Sequence, residues 1–166
     1  MNQKCILLNE IKNITGNIPY GMTNDYMFRA VLQENKIVLR GLICSLLHLS
    51  EDEIKDVYIT NEIVLGESIT NKEFRLDINI ALNNNMLINL EMQIANRLNW
   101  TERSLSYLCH AFDHLLKGED YTNAKPVVHI AFLDFTLFEK VPEFYAKYKF
   151  MNIKNYTALK GKNNSH

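Results

Sequence analysis

Apolar and polar residues alternate strictly between Phe74 and Ile94. Phe74, Leu76, Ile78 and Ile80 alternate with Arg75, Asp77, Asn79 and Ala81. Further on, Ile88, Leu90, Met92 and Ile94 alternate with Leu87, Asn89, Glu91 and Gln93. A period of two over this length predicts two half-buried strands. Asn83, Asn84 and Asn85 separate them, and Asn tolerates the positive φ that hairpin turns require. The two apolar faces must enter one core, which fixes the register, because a one-residue slip would turn one set out to water. A turn centred on Asn84 pairs Ile78 with Leu90, Ile80 with Ile88 and Asp77 with Glu91. Carboxylates directly opposite each other repel unless something compensates, and a divalent cation is the obvious candidate. A wet sheet face with scattered polar residues has the same pattern.

The remaining pattern supplies the flanking elements. Residues 1–20 form a weakly patterned arm ending in Pro19 and Gly21. Thr23, Asn24 and Asp25 offer N-cap chemistry for a helix whose apolar face is Phe28, Val31 and Leu32. A second helix is expected over Lys36 to Leu49, mostly apolar in its latter half and so buried. Ser50 with Glu53 is a capping-box pair. A β-branched run from Val57 to Leu65 predicts the first strand, and Gly66 to Asn71 a turn. After the hairpin, a helix capped by Thr101 runs to Lys117 and stops at Gly118, with Leu105, Leu108, Phe112 and Leu115 as its apolar seam. Pro126 opens a last strand, Val127 to Phe135, apolar enough for burial on both faces.

Composition narrows the class. A chain of 166 residues, 47% hydrophobic, fits one domain with a real core. The net charge of −1 gives no global pull towards nucleic acid, so any phosphate-binding surface must be local. Cys5, Cys44 and Cys109 are isolated thiols without a C-x-x-C pair, which suits a reducing, cytoplasmic setting. The longest apolar run, about Leu42 to Leu49, is too short for a bilayer, which takes about 20 residues; no membrane partner is expected.

The order helix, three strands, helix, strand, with Asp77 on the second strand and Glu91-Met92-Gln93 on the third, resembles the core of the PD-(D/E)XK nuclease superfamily. More narrowly, FRLDI (Phe74–Ile78), NLEMQ (Asn89–Gln93), W-x-E-R-S-L-x-Y (Trp100–Tyr107), KGEDY-x-x-x-KPV (Lys117–Val127) and IAFLDF (Ile130–Phe135) resemble the PD-(D/E)XK family transposases, relatives of the bacterial Rpn recombination-promoting nucleases. The resemblance covers about residues 20 to 150. It implies an α/β fold with a restriction-endonuclease-like core, in which a three-strand meander and a fourth strand make a mixed sheet flanked by helices.

It also implies a metal-dependent DNA endonuclease, linked to a mobile element, with DNA as partner and a homo-oligomer allowed. Asp77 and Glu91 would hold the divalent metal, Mg²⁺ in the first place with Mn²⁺ or Ca²⁺ as substitutes, and the Met92 carbonyl would be a third ligand. Gln93 occupies the position of the superfamily's lysine; its amide cannot change charge but can position water or phosphate. Glu62 and Asp25 are auxiliary acid candidates, but a solvated strand carboxylate and a helix cap are the preferred readings of the two.

On the helix after the hairpin, Arg103, Tyr107, His110 and His114 share one face beside the apolar seam. Arg103 and Tyr107 could contact phosphate or brace the carboxylates. His110 and His114 have zinc-pair spacing but no glutamate after the first and no evident third ligand. His129 reads as a satisfied core histidine. Residues 139–162 carry six lysines and interleaved aromatics, suited to phosphate contact and base stacking, or else a solvated helix and tail. The domain reading is an arm (1–20), a nuclease-like core (21–138) and a basic, aromatic segment (139–166), shorter than the helical C-terminal part usual in the family. The alternative function is therefore an inactive, truncated remnant that binds DNA or protein.

Overall fold

A computed structural model describes residues 21–61, 77–83, 85–113 and 118–159. Helix α1 spans Asp25–Glu34, and Asn24 caps it, its Oδ1 accepting from the Met27 N–H at 3.0 Å. Phe28 and Leu32 face the core, as their spacing predicts, and Arg29 lies beside them with no exposed surface. Asn35 ends α1 and caps α2 (Lys36–Leu47) by accepting from Ile37 and Val38. His48 enters the left-handed region at φ 57° and stops α2 short of the expected Leu49. The helix is not buried as expected. Leu39 and Ile43 face inward, while Ile37 is 84% exposed, because the core lies on one side only. The capping box forms as expected, the Glu53 carboxylate accepting from both the N–H and the Oγ of Ser50.

Four strands make one mixed sheet: β1 (Val57–Ile59), β2 (Ile78–Leu82), β3 (Met86–Gln93) and β4 (Val127–Leu133), side by side in that order. The first three are antiparallel, and helix α3 (Trp100–Phe112) carries the chain over to β4, which runs parallel to β3. The hairpin has the register expected from its pattern, with Ile78 opposite Leu90 and Ile80 opposite Ile88. Asn83 takes φ 51° in the turn and also ties the sheet to the preceding loop. Its Oδ1 accepts from Lys55 and Asp56, and its Nδ2 donates to the Glu53 carbonyl. The rest of the expected first strand beyond Asn61, the turn at 66–71 and Glu62 lie outside the described residues.

Ile78, Ile80, Ile88 and Leu90 meet Phe28, Leu32, Leu39 and Ile43 in one core. Phe132 of β4 joins it edge-on to Phe28, with ring centres 5.3 Å apart. The expectation of a last strand buried on both faces is not met. β4 ends at Leu133 rather than Phe135, and all seven of its residues are half-buried, because it is an edge strand. Residues 139–159 contain no helix, only a bridge between Met151 and Ala158. Tyr145 holds this segment to α2 through its OH, which donates to the Leu46 carbonyl at 2.7 Å.

Candidate active site

The second face of the sheet carries the polar positions of the alternation: Asn79, Asn89, Glu91 and, opposite Asn89 on β4, His129. Helix α3 covers this face. Its inward side is not the expected seam, since Leu105 is 47% exposed while Trp100 is buried. Trp100 and Tyr107 stack on the His129 ring at 5.8 and 5.6 Å, and Arg103 reaches Glu91. A helix laid on carboxylate, amide and imidazole groups must bring donors and rings, so Arg103 and Tyr107 of the supposed polar stripe belong to the packing face. The helix also starts earlier than expected, at Trp100 with Asn99 before it rather than at a Thr101 cap. His110 of the stripe is exposed, and His114 lies outside the described residues.

Asp77 and Glu91 fall at one end of this face. Asp77 stands one residue before β2, and the hairpin register continued by one step sets it opposite Glu91. Two bonds hold the Asp77 backbone, its carbonyl accepting from Arg29 Nη1 at 2.8 Å and Asn61 Nδ2 at 2.9 Å. Arg29 also donates to the Asn61 carbonyl, so one buried guanidinium ties α1 to the chain just after β1 and just before β2. The ladder's phase follows from its ends. Leu87 N and Gln93 O bond to the β4 side. The intervening even-numbered residues therefore direct their backbone groups to the β2 side, and the Met92 carbonyl points past the start of β2 towards the Asp77 end.

Electrostatics set these groups apart. Glu91 is 6% exposed. One carboxylate oxygen accepts from Arg103 at 2.5 Å; the other is buried with no hydrogen-bond partner among the described residues. Burial pushes the Glu91 carboxyl up to about 6, with Arg103 pulling it down and Asp77 and Asp25 pushing it further up. Asp25 is thus close enough to act on Glu91. Asn24, not Asp25, is the helix cap, and burial raises the Asp25 carboxyl while its Oδ1 lacks a partner among the described residues. Burial would lower the Arg103 pKa, but Tyr107, which accepts from it at 2.9 Å, and the charges of Glu91 and Asp77 raise it. Burial draws the His129 imidazole down to about 4, so it is neutral near pH 7. It is only half satisfied, since Nδ1 bonds Asn89 and Nε2 has no partner among the described residues. Gln93 is half-buried, and its Nε2 donates to the Ala95 carbonyl at 2.7 Å rather than towards the carboxylates.

Among the described residues no three His, Cys, Asp or Glu side chains cluster as a metal site by themselves. The two carboxylates, with a buried oxygen lacking any donor, still fit a small hard cation, which takes one or two carboxylates and keeps several waters. A cation there would satisfy the lone Glu91 oxygen and relieve its repulsion from Asp77 and Asp25. Sequence reasoning missed Arg29, Asn89 and His129. Asn89 was findable, lying two residues before Glu91 on the same face; His129 depended on the long-range pairing of β4.

A mixed four-stranded sheet flanked by helices, with an acidic pair at the end of its central hairpin, is consistent with a PD-(D/E)XK nuclease-like fold. Comparison with protein families agrees: residues 22–166 match the family described as PD-(D/E)XK nuclease family transposase, and the chain belongs to that family. Neither the search of curated proteins nor that of solved structures found a match. The family suggests nuclease activity and a DNA substrate, and nucleases of this fold generally use divalent metals. Among the described residues no helix is long and apolar enough to cross a membrane.

Proposed function

We propose that the chain is a divalent-metal-dependent DNA endonuclease whose metal is held by Asp77, Glu91 and the Met92 carbonyl. The observation that carries this reading is the buried Glu91 oxygen beside Asp77, without a partner among the described residues. Proteins keep such a costly group where something other than the chain completes it. A divalent cation there would neutralise charge on the scissile phosphate and lower the pKa of an attacking water.

The chain's own residues prepare the site. Arg103 holds one oxygen of Glu91 and keeps the other turned inward. Arg29 and Asn61 fix the backbone at Asp77. Asp25 adds negative charge that sharpens the site's demand for a cation. Gln93 can position water by hydrogen bonding once its amide leaves Ala95, but it cannot accept a proton as a base would. Mg²⁺ is the expected ion, with Mn²⁺ as a working substitute.

The test is plasmid cleavage with Mg²⁺, Mn²⁺ or Ca²⁺ by the natural chain, Asp77→Ala and Glu91→Ala. Cleavage that needs metal and is lost in both variants is the expected result. Cleavage that survives both would place the chemistry elsewhere. No cleavage by the natural chain with any metal would leave a module that binds DNA or protein without cutting.

A further inference from the structure

We propose that Asn89 and His129 are a positioning pair for Asp77, in which His129, as the Nδ1–H tautomer, fixes the Asn89 amide so that its nitrogen faces the Asp77 carboxylate. The inference rests on the reading of Asp77 as a metal ligand and deepens it.

The hydrogen-bond pattern assigns every atom. Asn89 Nδ2 lies 2.8 Å from Asn79 Oδ1 and 3.4 Å from Asp77 Oδ2. An ionised carboxylate only accepts, so the amide atom facing it must be the nitrogen. That leaves Asn89 Oδ1 for His129 Nδ1 at 2.7 Å, and an oxygen can only accept there, so Nδ1 carries the hydrogen. Nε2 is then the lone-pair end, in keeping with its lack of a donor among the described residues. Rotating the Asn89 amide by a half turn would set its oxygen against the carboxylate and its NH₂ against Nδ1, which would then have to be the lone-pair end and leave a buried Nε2–H with no acceptor among the described residues. Two mismatches, in a residue 3% exposed, lock the orientation. The stacking of Trp100 and Tyr107 on the imidazole holds the ring in turn. Asp77 itself sits just outside β2, so this side-chain tether supplements its backbone bonds. Groups that orient a ligand in this way change metal affinity by about 10–100-fold when removed.

Calorimetric Mn²⁺ binding tests the proposal on the natural chain, Asn89→Leu, His129→Leu, His129→Asn and the Asn89→Leu/His129→Leu double variant. An Asn amide nitrogen lies two bonds from Cβ, as Nδ1 does, so His129→Asn keeps the donor, whereas Leu keeps bulk and loses it. Asn89→Leu and His129→Leu are expected to weaken Mn²⁺ binding about 10-fold or more, and the double variant no further than Asn89→Leu. His129→Asn should bind within a few-fold of the natural chain although it packs worse and melts lower than His129→Leu. That reversal between melting order and affinity order is what a purely structural role cannot give. Equal affinity in the Leu variants, or His129→Asn no better than His129→Leu, overturns the proposal while the nuclease reading stands. A natural chain that binds no Mn²⁺ sinks that reading and this inference together. Nitrogen-15 NMR of the unsubstituted protein gives a check without any variant: the His129 ring must show Nδ1–H, and an Nε2–H ring refutes the pair.

Discussion

Replacing Glu91 by Gln should stabilise the metal-free protein, and only at neutral pH. The folded chain shifts this carboxyl from 4.5 to about 6. Each pH unit of displacement is worth about 1.4 kcal/mol, so the ionised side chain costs the fold at most about 2 kcal/mol. The site opens to solvent through the half-exposed Arg103, so about 1–2 kcal/mol is the expected range. The sign follows from proton binding. Between 4.5 and about 6 the folded state holds the proton more tightly than the unfolded state, so stability falls as pH rises through that window. Gln has the shape of Glu and still accepts from Arg103, but never ionises. Its advantage is therefore near zero below about pH 4.5 and complete above about pH 7. For a chain of this length about 1–2 kcal/mol corresponds to a rise in Tm of roughly 2–8 °C. The assay is thermal unfolding of both proteins with a chelator at the two pH values, repeated at neutral pH with millimolar Mg²⁺. Metal should raise the Tm of the natural chain and leave Glu91→Gln unmoved. A variant that melts lower than the natural chain at neutral pH, or higher by the same margin at both pH values, would refute the argument, because the gain would then not be electrostatic.

Other substitutions separate the site's parts. Arg103→Ala should cost about 1–2 kcal/mol near neutral pH by leaving the Glu91 charge unpaired, and much less below about pH 4.5, where Glu91 is protonated; unfolding in denaturant at both pH values reads this. Metal affinity of the natural chain should fall as pH drops through about 6, since Glu91 must lose its proton to act as a ligand; Mn²⁺ titrations across that range test it. Gln93→Ala should lower the cleavage rate only about fivefold, the worth of one hydrogen bond to water, against complete loss in Asp77→Ala; single-turnover kinetics distinguish them. Asn83→Ala should cost about 2–3 kcal/mol by removing three side-chain bonds and straining a left-handed residue, while Asn83→Gly should recover the strain part; equilibrium unfolding reads both.

The hairpin was legible because its information is local. Strict alternation and a three-residue turn fix which residues oppose which, so the approach of Asp77 to Glu91 follows from ten or so positions. The facing of α3 was not legible by the same logic. Choosing its apolar seam assumes an apolar surface beneath it, and Leu105 fails that assumption because the sheet presents Asn89, Glu91 and His129. That surface is assembled only when β4 pairs with β3, setting His129 opposite Asn89 across 40 residues of chain. Asp25 was misread for a smaller reason. Two adjacent residues can each cap a helix, and once Asn24 takes the Met27 N–H, Asp25 is left over to act on Glu91.

These failures fall together in space, and that has a physical basis. In the core of the hairpin the local rules hold: Ile78, Ile80, Ile88 and Leu90 are at most 1% exposed, and they pack in an apolar cluster. At the site the chain breaks them, burying an arginine, an asparagine and a glutamate. Burying a polar group is costly unless it is bonded. Arg29 and Asn89 are bonded, to Asp77 and its neighbours. Among the described residues the buried carboxylate oxygens that lack partners belong to Glu91 and Asp25, and the charges of Asp25 and Asp77 both act on Glu91. Had the fold alone been selected, leucine or methionine at position 91 would pack against α3 without that cost. A chain that keeps an acid there gives up stability for something the fold does not need, and the Glu91→Gln measurement asks how much.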